Sequence, residues 1–111
     1  MSTLSIKSEI SNVSVSLKAN VYFDGGVTSR AITLADGSVK TLGLMLPGEY
    51  EFGTEVHELM EISTGNLEAL LPQATSWVTI TDNMSFEVPA GETFKVKVHQ
   101  VTNYCCSYGA K

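Results

Sequence analysis

The order of apolar and polar residues predicts strand along nearly the whole chain. Val13-Ser14-Val15-Ser16-Leu17 alternates with the period of a half-buried strand. Asn20 to Phe23 runs into Asp24-Gly25-Gly26, a turn signal. Val27 to Leu34 is the next strand, ended by Asp36-Gly37, and Thr41 to Leu46 follows until Pro47-Gly48 breaks it. Glu49-Tyr50-Glu51-Phe52 sets charge against aromatic residues, so one face is wet and the other dry. Glu58 to Ile62 meets Gly65-Asn66, and Leu67 to Leu71 is stopped by Pro72. Trp77 to Thr81, Ser85 to Val88, Phe94 to His99 and Thr102 to Tyr108 complete the series. Helix has little room. Gly65 to Leu71 has helical propensity, but it is short and sits in a train of strands, so strand is predicted there. Short strands with turns about every eight to twelve residues predict a sandwich or barrel. Residues 1–19 read as an added arm, either loose or an extra edge strand, and residues 20–111 as one barrel domain.

Length and composition narrow this picture. A chain of 111 residues builds one core, and its 43% hydrophobic content is that of a folded globular protein. Twelve acidic against seven basic residues leave a net charge of -5, which argues against non-specific nucleic-acid binding. A local pair of cations still suffices for a small anion. No apolar run approaches the roughly 20 residues of a membrane span, and residues 1–18 lack the apolar stretch of a signal peptide. The expected compartment is therefore the cytoplasm, where thiols stay reduced. Cys105 and Cys106 are neighbours, read as two free thiols, because a disulfide between adjacent residues is strained.

Two spacings resemble the paired motifs of a cupin barrel with its metal ligands removed. Gly48 opens the first; Phe52 and Thr54 stand in its two histidine slots, Glu58 in its glutamate slot, and Gly65 closes it. Asn83, Pro89-Ala90-Gly91 and Phe94 fill the second, with Phe94 in its histidine slot. A transition metal needs three or four N, O or S donors, and the two phenylalanines offer none. His57 and His99 fall outside the slots and are expected to be exposed polar residues. No metal is expected.

If the old ligand slots face inward, Tyr50, Phe52, Thr54, Glu58, Met60 and Phe94 line a cavity suited to a flat, partly polar ligand. Phe52 and Phe94 serve equally as core. A buried lone carboxylate is costly unless partnered, so Glu58 either bonds backbone or a tyrosine hydroxyl or meets substrate. Arg30, the only arginine, and Lys40 flank the Asp36-Gly37 turn. With Ser29 and Thr41 they are candidates for binding an anion such as phosphate, the alternative being solvated surface cations. Lys95 and Lys97 alternate away from the interior.

Longer strings carry a closer resemblance. Residues 20–25, residues 41–54, Glu58-Leu59-Met60-Glu61, Leu71-Pro72 with Trp77, Phe86-Glu87-Val88-Pro89 and the ending Tyr104-Cys105-Cys106 resemble the pyrimidine/purine nucleoside phosphorylase family of small bacterial cupins. The resemblance spans about residues 20–108. Asn83 replaces a glycine usual in its turn, His57 stands where proline is more frequent, and the arm is longer. It implies a homodimeric, metal-free enzyme, a pentosyltransferase that converts purine and pyrimidine nucleosides plus inorganic phosphate to free base and pentose 1-phosphate. Phosphate is then a co-substrate and no cofactor is needed. On that premise Glu58 binds pentose hydroxyls or serves the leaving base as acid. Tyr50, Thr54, Met60 and Tyr104 are the expected substrate contacts, with a tyrosine stacking on any base. Arg30, Lys40, Ser29 and Thr41 are the expected phosphate contacts. The rival expectation is a non-catalytic cupin that binds a sugar or nucleotide.

Overall fold

In a computed structural model, which describes residues 8–109, nine strands form one antiparallel network: β1 (Ser14–Val15), β2 (Asn20–Tyr22), β3 (Val27–Thr33), β4 (Val39–Met45), β5 (Gly48–Gly53), β6 (Glu58–Leu70), β7 (Val78–Thr81), β8 (Met84–Val88) and β9 (Thr93–Tyr108). The all-β expectation holds, and a 3-10 turn over Phe23–Gly25 joins β2 to β3. Among the described residues no helix is long and apolar enough to cross a membrane.

The frame is a ribbon of the two longest strands, β6 and β9, which pair antiparallel from Glu58↔Tyr108 to Leu70↔Lys95. Each half of the ribbon belongs to a different sheet. The first half of β6 and the second half of β9 lie between β8 and β4, and β3, β2 and β1 continue that sheet. The second half of β6 and the first half of β9 lie between β7 and β5. A ribbon shared by both sheets has to bend where it passes from one to the other, and this bend makes the jelly-roll barrel of a cupin.

The bend corrects one feature of the sequence reading. Gly65-Asn66 does not divide two strands; it is a bulge inside one, with register shifts between Ile62 and Leu67. Likewise the segments predicted at 94–99 and 102–108 are one strand. Gly65 has φ +145°, and a Cβ there would strike the Thr102 side chain. Thr102 is fully buried, and its hydroxyl donates to Gln100 O (2.9 Å) and accepts from Asn66 N (3.3 Å). Asp82 Oδ1 accepts from Gly65 N at 2.8 Å, which ties the β7–β8 turn to the bulge. Asn83, at φ 65° in that turn, donates its N–H to Ile62 O.

Alternate residues of the strands build the interior. Val27, Met45, Met60, Ile62, Leu67, Ala69, Phe86, Val88, Phe94, Val96, Val98 and Cys106 form the core. Lys95 is exposed, and Lys97 lies with its Nζ 4.3 Å from the Trp77 ring centre, outside the interior as alternation predicts. Of the N-terminal arm, the described part contributes β1, which pairs Ser14 with Thr33 and Val15 with Ile32. The strand predicted over Val13–Leu17 is thus only two residues long.

Replacing Gly65 by alanine forces a side chain into both a left-handed backbone and the Thr102 contact. The expected loss of stability is about 1–3 kcal/mol, read as a lower urea midpoint. Gly53→Ala, whose Cβ meets only a carbonyl at 3.9 Å, is expected to stay within about 0.5 kcal/mol of the parent.

Candidate active site

Alternation along three strands brings the chemistry to one end of the barrel. On β9, Tyr104, Cys106 and Tyr108 share a face; on β6, Glu58 and Met60 share one, with Glu58 opposite Tyr108 and Met60 opposite Cys106. These five residues, with Tyr22, Met45, Phe52, Gly53 and Phe94, line a cavity of about 220 Å³. A row of rings floors it: Phe52 and Phe94 lie 5.4 Å apart, and Phe94 and Phe86 5.8 Å apart, so the two phenylalanines in the old ligand slots are core and cavity wall at once.

The polar groups are weak acids. The Cys106 thiol donates to Glu58 Oε1 at 3.7 Å, so the partner of the carboxylate is a thiol rather than backbone or a phenol. Burial pushes the Glu58 carboxyl above its ordinary range, against smaller opposing effects of the Cys106 thiol and His57. Burial raises the Cys106 thiol to about 12, with nearby Glu58 adding to the effect, so this sulfur is a protonated donor rather than a nucleophile. Cys105 is pushed up by burial as well. Both cysteines are free thiols. Burial likewise raises the phenols of Tyr104 and Tyr108 well above the usual tyrosine range. The Tyr108 hydroxyl lies 2.9 Å from Thr41 Oγ1, and the Tyr104 hydroxyl donates to Thr28 O at 3.3 Å. The Tyr104 ring lies over Gly43, where any Cβ would collide with it.

The residues expected from sequence divide in two. Glu58, Met60 and Tyr104 line the cavity, and Thr41 reaches its edge through Tyr108. Tyr50 and Thr54 do not line it. The Tyr50 hydroxyl donates to Leu46 O (2.7 Å), with Gly26 O at 3.4 Å. The Thr54 hydroxyl donates to Pro89 O (2.7 Å) and accepts from Glu92 N (3.1 Å), fastening the turn before β9 to the end of β5.

The four expected phosphate contacts do not converge. The β3–β4 register pairs Ala31 with Thr41 and Ile32 with Lys40. Residues paired across strands share a face, so Ser29 and Thr41 point inward while Arg30 and Lys40 point outward. Ser29 is buried and accepts from Asn20 Nδ2 at 3.3 Å. Arg30 is exposed and donates from Nε to Leu17 O at 3.1 Å. Among the described residues, no Lys or Arg lines the cavity.

His57 also differs from expectation. Its side chain is only 16% exposed, and Nε2 lies 2.8 Å from Glu87 Oε1. His99 is exposed as expected, with Nε2 2.7 Å from Glu68 Oε2. Among the described residues, no three His, Cys, Asp or Glu side chains gather to form a metal-ligand set. Sequence reasoning missed Tyr22, Met45, Gly53, Cys106 and Tyr108 as cavity residues. The last two were readable, since they follow Tyr104 at two-residue steps on one strand.

A raised carboxyl has a consequence for stability. The folded state holds the Glu58 proton more tightly than the unfolded chain, whose value is near 4.5. Its contribution is therefore full below that pH and is lost as pH rises through the folded value. Glu58→Gln, which keeps an oxygen acceptor for the thiol, is expected to raise Tm more at pH 8 than at pH 4. Equal shifts at both pH values would contradict a raised Glu58.

Comparisons with known proteins agree with this architecture. A family model described as pyrimidine/purine nucleoside phosphorylase matches residues 17–108. A pyrimidine/purine nucleoside phosphorylase of Sulfurovum sp. (strain NBC37-1) is 57% identical over 100 residues, covering 90% of this chain and 97% of that protein. The crystal structure of a protein of unknown function from Acinetobacter sp. ADP1 superposes with a TM-score of 0.89 at 34% identity, covering 92% of this chain and 99% of that one. The cupin domain of Schizosaccharomyces pombe Cnp3 superposes at a TM-score of 0.60 and 14% identity, covering 76% of this chain and 61% of that one, a likeness of fold alone.

Proposed function

The chain belongs to the pyrimidine/purine nucleoside phosphorylase family, and on that premise we propose that it is a nucleoside phosphorylase of broad specificity, acting on purine and pyrimidine nucleosides. In this reading, nucleoside and inorganic phosphate give free base and pentose 1-phosphate. The observation that carries the assignment of the site is the cavity that holds Glu58 against Cys106 between aromatic walls.

Size constrains how a nucleoside sits. Pockets that enclose a drug-sized ligand are about 300–1,000 Å³. The volume here is about 220 Å³, which favours one ring inside and the rest of the ligand at the mouth. The pentose, with its hydroxyls, suits the polar interior, where Met60 and Tyr104 supply the walls. The base then lies at the mouth and meets protein mainly through its π face. A π face is common to every base, which supports broad specificity.

The reaction breaks the C1′–N bond and forms a C1′–O bond to phosphate. The bonding pair leaves with the base nitrogen, and positive charge develops on the sugar, as in glycoside hydrolysis. Phosphate is already an anion and needs no base to attack. Glu58, whose carboxyl burial pushes above its ordinary range, is the proposed acid: it donates from its carboxyl oxygen toward the departing base and regains a proton from the incoming phosphate. The hydroxyls of Tyr108 and Thr41, 2.9 Å apart at the cavity edge, are the proposed phosphate donors. Two of the three slots that hold imidazoles in metal-binding cupins carry phenylalanines, Phe52 and Phe94, packed 5.4 Å apart, which supports a reaction with no metal or other cofactor. The reading extends to a cytoplasmic homodimer with no nucleic-acid or membrane partner.

Incubation with guanosine or uridine, followed by chromatography, is expected to release free base only when phosphate is present. Release in plain buffer would mark a hydrolase, and no release a binding protein. Glu58→Gln is expected to lower kcat about 100-fold. Full turnover in that variant would remove Glu58 from the mechanism.

A further inference from the structure

The backbone at the cavity mouth adopts an uncommon conformation. Phe23 and Asp24 have φ 53° and 54°, followed by Gly25 at 95°. Two consecutive non-glycine residues in the left-handed region, one of them bulky, cost free energy and persist only where their surroundings hold them. What holds them is visible. The Phe23 ring packs at 5.0 Å on Tyr50 and edge-on at 5.5 Å on Phe52. Gly26 N donates to Phe23 O at 3.0 Å, and Leu46 N donates to Gly26 O at 2.8 Å. The Tyr50 hydroxyl braces the same turn from Leu46 O, and a Cβ at Gly26 would come within 2.7 Å of it.

This bracing delivers Tyr22. It ends β2 opposite Val27, lines the cavity, and remains 48% exposed. A ring packed for core stability would be covered, and a ring with no role at the mouth would not need a strained turn beside it. Phe23 is equally exposed even with one side packed on Tyr50 and Phe52. In the proposed binding mode the base lies at the mouth, and Tyr22 is a half-exposed ring of the cavity lining held beside the turn.

We propose that Tyr22 is a specificity-determining residue whose ring stacks on the base of a nucleoside with its pentose in the cavity, and that Phe23 is the wedge that fixes it there. The proposal rests on the phosphorylase reading above. Tyr22 acts on nucleoside binding, while Glu58 serves the bond-breaking step. A purine offers the larger face, so the ring favours guanosine over uridine.

The test is steady-state kinetics of Tyr22→Ala, Tyr22→Leu and Tyr22→Phe with guanosine and uridine. The Ala and Leu variants are expected to raise the nucleoside KM about tenfold or more, more for guanosine, with kcat changed less than about twofold. The KM for phosphate should stay at the parent value, which a general loosening of the cavity would not allow. The Phe variant should keep the parent KM, since the ring and not the hydroxyl makes the contact. Leucine retains apolar bulk should the alanine variant fail to fold. An unchanged nucleoside KM in the leucine variant, or a phosphate KM that rises with it, overturns the proposal. If the parent protein releases no base in phosphate, the phosphorylase reading falls by itself. Calorimetric binding of guanosine then decides the role of Tyr22: a weaker Kd in the leucine variant supports it, and an equal Kd, or no binding to the parent, overturns it.

Discussion

The antiparallel pairing of β6 with β9 is the constraint on which the rest of the molecule depends. Every other strand but β1, β2 and β3 hydrogen-bonds directly to one of these two. A ribbon this long cannot remain flat, and the place where it turns is set by contacts distant in sequence. Gly65 lets Thr102 approach, Thr102 satisfies Asn66 N, and Asp82 satisfies Gly65 N. Those bonds pair polar backbone atoms that a bulge would otherwise leave exposed inside the fold. Bending there brings the first half of β6 and the second half of β9 to the cavity, with Glu58, Met60, Cys106 and Tyr108 on the inner face.

Among the described residues the cavity lining holds no lysine or arginine. Its titratable members are a carboxyl, a thiol and phenols, and burial favours the protonated form of Glu58, Cys106, Tyr104 and Tyr108 alike. Such a lining presents hydrogen-bond donors without a net positive field. An anion entering it meets O–H and S–H groups, and its affinity then depends on how well they align rather than on long-range attraction. This sets the site apart from anion sites built on arginine forks.

Most of the fold was legible in the sequence because each strand has one dry side, and alternation reports that directly. Asp36-Gly37 falls in the β3–β4 loop, and Pro47 in the break before β5 opens at Gly48, as their chemistry predicts. Gly65 was harder. A glycine inside a strand pattern marks either a break or a bulge, and the choice is made by Thr102 and Asp82, which no local window contains. The site was legible to the same depth. The ligand-slot spacing put Glu58 and Met60 inward and the family resemblance added Tyr104, but facing inward does not give height along the barrel. Tyr50 on β5 and Thr54 just beyond its end lie outside the cavity, their hydroxyls committed to Leu46 O and Pro89 O. For Arg30 and Lys40 the signal was available: each sits next in sequence to an inward residue, Ser29 and Thr41, so its side chain has to point the other way. Tyr22 was hidden because nothing in Phe23-Asp24 announces a left-handed turn before a glycine.

The Tyr104 ring resting on Gly43 joins two neighbouring strands by shape alone. Room taken by the aromatic group on β9 is room denied to β4. A smaller residue at 104 would not by itself admit a side chain at 43, because a Cβ there would also strike the Thr28 carbonyl oxygen of the adjoining strand. Remodelling this pocket for a bulkier or slimmer guest therefore means changing residue 104 while glycine stays at 43, the fixed half of one partition wall.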